Sequence, residues 1–91
     1  MPEDNLLDVF WTAQALEDMQ FWRKSGKKQV VDKINRMVEE CRVINAPGIG
    51  KAHRLRFNLQ GKLSKRITDE HRLVYRIDGN LLSVLQCRFH Y

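Results

Sequence analysis

The sequence predicts an α+β domain, with an N-terminal two-helix hairpin packed on one face of a four- to five-stranded, mainly antiparallel β-sheet. Three observations carry that expectation. Apolar residues recur at helical spacing up to residue 41, and they alternate with polar residues from 53 onward. Between the two regimes lie Asn45, Pro47, Gly48 and Gly50, a cluster that ends helices. At 91 residues the chain is one domain, 1–91, with a core modestly above the minimum that folds alone.

Each element follows from its residues. The stretch "VFWT" at 9–12 is apolar and β-prone, a fifth strand in the scheme, and Thr12 is placed to cap the helix after it. From Ala13 to Arg23, Leu16, Met19 and Trp22 recur every three residues, and Ser25-Gly26 breaks the helix. The second helix begins near Lys27 and carries Val30, Val31, Ile34, Met37, Val38 and Cys41 along one face. A link this short makes the two helices an antiparallel hairpin.

The second half has the strand period. "HRLRFNL" at 53–59 alternates, Gln60-Gly61 turns the chain, and "KLSKRIT" and "HRLVYRI" follow. Asp78-Gly79-Asn80 makes the next turn and "LLSVLQCRFHY" is the last strand, completing a meander. Parity sets Leu63 and Ile67 against Ser64 and Arg66, and Leu73, Tyr75 and Ile77 against Arg72, Val74 and Arg76. On the last strand Leu85, Cys87 and Phe89 oppose Gln86, Arg88 and His90. The expected outcome is an open face bearing Arg66, Arg72, Arg88 and His90, with Arg54 and Arg56 outward on the preceding strand.

Charge supports that picture. Residues 1–47 hold seven Lys and Arg against eight Asp and Glu, whereas residues 48–91 hold nine against three. All the excess positive charge lies in the second half, which suits a polyanionic partner, most commonly nucleic acid. No run of apolar residues is long enough to span a membrane. "MPEDNLLD" is acidic where a signal peptide is basic, so a cytoplasmic location is expected. Cys41 and Cys87 match no metal-ligand spacing and read as buried free thiols in a reducing compartment.

Arginines with a histidine and a tyrosine suit a phosphodiester. Guanidinium groups bond phosphate oxygens in pairs and stay charged. A tyrosine ring stacks on bases, worth about 1–3 kcal/mol. Histidine, with an ordinary pKa of about 6.5, moves protons near neutrality. RNA supplies its own 2′-hydroxyl nucleophile, so cleavage needs a base, cations for the crowded phosphorane and an acid. No carboxylate cluster suggests a metal-dependent nuclease, and neither metal nor cofactor is expected. Composition alone is equally compatible with binding. Lys51 and Lys65 read as phosphate-steering charges, with an ordinary solvated lysine as the plain alternative. Trp11 and Trp22 read as core packing, and His71 as the holder of a local hydrogen bond beside a turn.

"NLQGKLSKRITDEHRLVYRI" followed by "CRFHY" at 87–91 resembles the YoeB (Txe) toxins of the RelE superfamily. The similarity is strong over 58–91 and weaker back to "VFWT". It implies a type II toxin that enters the A site of the 70S ribosome and cuts the mRNA codon there without metal, leaving a 2′,3′-cyclic phosphate and inhibiting translation. It also implies a YefM-like antitoxin and a tendency to dimerise. Arg72 matches the family's catalytic arginine, His90 its general acid and Tyr91 its substrate-orienting tyrosine, while Arg66 falls on a further basic position.

One departure stands out. The family's proposed general base is a glutamate in a "K-P-E-P-L" segment, and this chain has "KAHRL", with His53 at the matching position. A neutral imidazole can serve as the base. Alternatively His53 contacts phosphate, or turns to the core with Leu55 and Phe57 as parity suggests, or the change weakens cleavage. Two other functions stay open: a non-catalytic ribosome blocker, and a ParE-like gyrase inhibitor, against which the His-Tyr pair argues.

Overall fold

The computed structural model describes residues 6–43, 53–54 and 61–89. In chain order the elements are β1 (Asp8–Trp11), α1 (Ala13–Lys24), α2 (Lys28–Cys41), β2 (His53–Arg54), β3 (Lys62–Arg66), β4 (Arg72–Asp78) and β5 (Leu81–Gln86). They form one five-stranded sheet in the order β1-β5-β4-β3-β2. Strands β2 to β5 pair as an antiparallel meander, and β1 joins β5 in parallel. The expected α+β architecture holds, with the fifth strand in place at 8–11. No described helix is long and apolar enough to cross a membrane.

Thr12 does two jobs at the β1–α1 junction. Its hydroxyl oxygen accepts from the Ala15 backbone N–H at 3.2 Å, capping α1. The same hydroxyl reaches the carbonyls of Val84 and Leu85, at 2.9 and 3.0 Å, as donor. Those carbonyls lie at a β-bulge. Val74 pairs with Gln86 and Tyr75 with Val84, so Leu85 has no partner on β4.

The bulge shifts the parity of this strand, so that Leu85 does not share the core row with Val84 and Cys87 by simple alternation. Leu82 and Val84 lie in the core on one side of the extra residue, and Cys87 lies there on the other. The core joins them to Ala15, Met19 and Trp22 of α1, to Ile34, Met37 and Val38 of α2, and to Ile67, Leu73 and Tyr75. Ala15, not Leu16, completes the α1 stripe, since 15, 19 and 22 follow the i, i+4, i+7 spacing, and Leu16 is left 50% exposed. Gly26, at φ +73°, turns the chain between the helices in a conformation other residues rarely adopt.

The last strand is shorter than expected. It ends at Gln86, and Phe89 has φ +65°, outside any strand conformation. The reason is tertiary: the backbone of Cys87 bonds to side chains of α1 rather than to a neighbouring strand.

Candidate functional site

The register of β3 and β4 assembles the basic cluster. Arg66 sits directly across from Arg72, Ser64 from Val74 and Lys62 from Arg76. Cross-strand partners share a face, and the Leu63–Tyr75 and Lys65–Leu73 pairs face the helices, so the arginines stand on the other side. Arg72 is half-buried, and its Nε donates to the Ser64 hydroxyl at 3.1 Å. That bond fixes the plane of the guanidinium while its two terminal nitrogens keep the paired geometry suited to a phosphate. Arg66 is exposed, with Asp69 only 3.9 Å from Nη1, a solvent-screened pair that holds it weakly. Arg76 is drawn aside by Asp78 at 3.1 Å. This face is not open throughout, because Ser64 and Val74 at its middle are buried.

Strand β2 changes the assignments made from parity. His53 lies opposite Ser64, the residue that receives Arg72, whereas Arg54 lies opposite Leu63 in the core-side row. The register positions of the two residues are therefore the reverse of those that parity counted along a regular strand predicts. Lys51, Arg56, His90 and Tyr91 lie outside the described residues.

Two further basic residues are placed differently from the expectation. Lys65 is buried at 3% exposure, paired with Leu73 on the helix side, so it is no solvent-exposed steering charge. Arg88 does not line the open face. With the strand ended, its guanidinium stacks between the rings of Phe21 (3.5 Å) and Phe89 (4.2 Å). Among the described residues its buried Nε has no hydrogen-bond partner.

The segment 87–89 is fastened from three directions. Asp18 Oδ2 accepts from the Cys87 N–H at 3.0 Å, and Trp22 Nε1 donates to the Cys87 carbonyl at 2.9 Å. His71 Nδ1 accepts from the Phe89 N–H at 2.7 Å, and the Arg72 N–H donates to the Phe89 carbonyl at 3.2 Å. Trp22 is thus core packing as expected, and the His71 bond spans 18 residues rather than being local.

Asp18, Ser64 and this use of His71 were not singled out in the sequence. Asp18 did leave a signal, a carboxylate on the same face as Ala15, Met19 and Trp22. Burial, reinforced by the charge of Asp18 and only partly offset by Arg23, pushes the Cys87 thiol up to about 12. Its Sγ lies 3.8 Å from the Ala15 carbonyl, where a protonated thiol is the donor. Burial, with Cys41 alongside, also pushes the Tyr75 phenol above its usual range. Among the described residues no three His, Cys, Asp or Glu gather as metal ligands do.

The family model for YoeB-like toxins of bacterial type II toxin–antitoxin systems matches residues 11–91. The chain belongs to that family. Toxin YoeB of Escherichia coli (strain K12) is 36% identical over 85 residues, covering 93% of this chain and 100% of that protein. Among solved structures, a YoeB/ParE toxin from Agrobacterium tumefaciens superposes with a TM-score of 0.84 at 38% identity, covering 93% of this chain and 100% of that one. The YoeB of a heterotetrameric YoeB–YefM complex from Staphylococcus aureus superposes with a TM-score of 0.77 at 40% identity, covering 93% and 98%. A YoeB-like chain thus carries the Arg66–Arg72 pair, and its 87–89 segment is tied to the start of β4.

Proposed function

We propose that this YoeB-like toxin is a ribosome-dependent mRNA endonuclease that cuts the A-site codon without metal. The observation that carries the reading is the junction of Arg72 with Phe89. Arg72 is oriented by Ser64 on one side, and its backbone holds the carbonyl of Phe89 on the other. His90, the general acid in this reading, is the next residue along the chain after Phe89.

In this mechanism His53 takes the proton of the 2′-hydroxyl, whose oxygen attacks the adjacent phosphorus. Arg72 and Arg66 stabilise the phosphorane, a contribution worth about 10²–10³ in rate for each well-placed donor. His90 gives a proton to the departing 5′-oxygen, another factor of about 10²–10⁴. The products are a 2′,3′-cyclic phosphate upstream and a free 5′-hydroxyl downstream. Tyr91 stacks on and orients the codon. Register supports His53 as the base, since it lies opposite Ser64. Arg88, with its stacked guanidinium, contributes a fixed positive charge beside the segment that carries His90.

A relative from Staphylococcus aureus was solved both with YefM and as a dimer. This chain accordingly takes a YefM-like antitoxin, associates with itself, and works in the cytoplasm on the 70S ribosome.

Toeprinting of programmed ribosomes tests the reading with wild type, His90→Ala and His53→Ala. Wild type should cut at the A-site codon, and both variants should lose most cleavage. Arrest of translation with the message left whole would establish a ribosome blocker instead. Full activity in His53→Ala removes His53 from the base role. Gyrase supercoiling should be unaffected.

A further inference from the structure

We infer that His71 is a positioning residue: its Nδ1 clamps the peptide of Phe89 and thereby fixes the direction in which the chain leads on to His90 and Tyr91. The clamp stands on its own geometry, and its catalytic consequence rests on the nuclease reading above.

The geometry is specific. The Phe89 N–H donates to His71 Nδ1 at 2.7 Å, while the Phe89 carbonyl receives the Arg72 N–H at 3.2 Å. Two consecutive residues therefore fix both polar groups of one residue. An Nδ1 that accepts belongs to a neutral ring with its hydrogen on Nε2. Phe89 needs holding, since φ +65° is disfavoured for any residue with a Cβ.

His71 is itself held on two sides. Its ring stands edge-on to Trp22, with centroids 4.7 Å apart and planes at 83°, and lies 5.6 Å from the ring of Phe89. Its backbone closes the turn after β3, its carbonyl receiving the N–H groups of Ile67 (2.9 Å) and Thr68 (3.2 Å). Lys33 of α2 pins the same turn by donating to the Ile67 carbonyl at 2.7 Å. Trp22 in turn bonds the Cys87 carbonyl. Helix, turn and ring thus converge on residues 87–89, with His71 and Arg72 making the two contacts at Phe89. Neighbouring side chains divide the work: Arg72 bonds Ser64 on the sheet, and His71 aims the segment that follows Phe89.

The test uses the full chain, labelled with nitrogen-15. A scalar coupling across the hydrogen bond, between the Phe89 amide nitrogen and His71 Nδ1, should be visible in the wild type. Its absence overturns the clamp without any variant. His71→Phe keeps a ring against Trp22 but has no acceptor, and His71→Asn places Oδ1 where Nδ1 was. His71→Phe should exchange its Phe89 amide hydrogen about tenfold faster, the size of one lost hydrogen bond. It should also cut kcat for A-site cleavage about tenfold, with KM for programmed ribosomes changed by less than about twofold. His71→Asn should recover most of both. Unchanged Phe89 exchange in His71→Phe overturns the clamp whatever the cleavage rate. Faster exchange with unchanged kcat overturns the positioning role. Wild type that leaves the message whole overturns the nuclease reading instead, a result that the coupling and exchange measurements do not share.

Discussion

Trp22 Nε1 donates to the carbonyl of Cys87 at 2.9 Å, joining residues 65 apart in the chain. Asp18, one helical turn earlier, receives the N–H of the same residue. A single face of α1 thus bonds both backbone groups of Cys87, and this replaces the strand pairing that would otherwise continue past Gln86. The helix hairpin is more than a cover for the sheet. It decides where the chain leaves the sheet on its way to residues 90 and 91.

Trp22→Phe should therefore cost more than its lost area. The substitution keeps an aromatic ring but leaves the Cys87 carbonyl without its donor in a buried site, a penalty of about 1–3 kcal/mol. Urea unfolding should show this as a lower midpoint with an unchanged slope. A variant as stable as the wild type would mean that the bond has no net value. Asp18→Leu should be at least as damaging, since it removes the acceptor for the buried Cys87 N–H.

Arg88 offers a sharper comparison. Its stacking between Phe21 and Phe89 is favourable by about 0.5–2 kcal/mol, yet its buried Nε finds no hydrogen-bond partner among the described residues. Arg88→Met keeps the length of the side chain and removes the polar atom, so stability should change by less than about 1 kcal/mol. Arg88→Ala, which empties the space between the rings, should lose clearly more. The paired urea midpoints check the order.

The two halves of the fold differ in how far the chain spells them out. The helix of 28–41 and the β3–β4 hairpin were legible because each is governed by local period, and Thr12 because capping is local too. Leu16 and Leu85 were misread for related reasons. One belongs to a helix whose apolar set is sparse, and the other is an extra residue in a ladder, invisible until the partner strand is known. Lys65 and Arg88 misled for a common reason. A basic side chain looks the same in sequence whether it faces solvent, a core or two rings. The approach of residues 87–89 to Asp18, Trp22 and His71 depends on pairings 18 to 69 residues apart, which no local pattern encodes.

Arg72 and Ser64 should separate charge from orientation. Arg72→Lys keeps one positive charge but cannot bond Ser64 through Nε while offering two parallel donors to a phosphate. A-site cleavage should fall by about 10²-fold or more, with unfolding unchanged. Ser64→Ala leaves the guanidinium intact but unanchored, and the rate should fall only about three- to tenfold. Equal losses in the two variants would count against Ser64 as a mere orienter.

The Cys87 thiol makes a prediction about alkaline pH. It is fully buried, and its pKa is pushed from 9.0 up to about 12 in the fold. The folded state holds the proton more tightly than the unfolded one, so this group's contribution is complete below pH 9. It declines as pH rises from 9 through 12, because the unfolded chain ionises first. The urea midpoint should accordingly fall between pH 9 and 11, and Cys87→Ala should lose stability at pH 7 yet show a shallower decline. Tyr75, also raised by burial, adds to the decline at the upper end of that range in both proteins. Iodoacetamide at pH 8 should leave Cys87 unlabelled in the folded chain and label it in urea, as peptide mass spectrometry would read. Rapid labelling of the folded chain would mean that the junction of α1 with residues 87–89 opens easily.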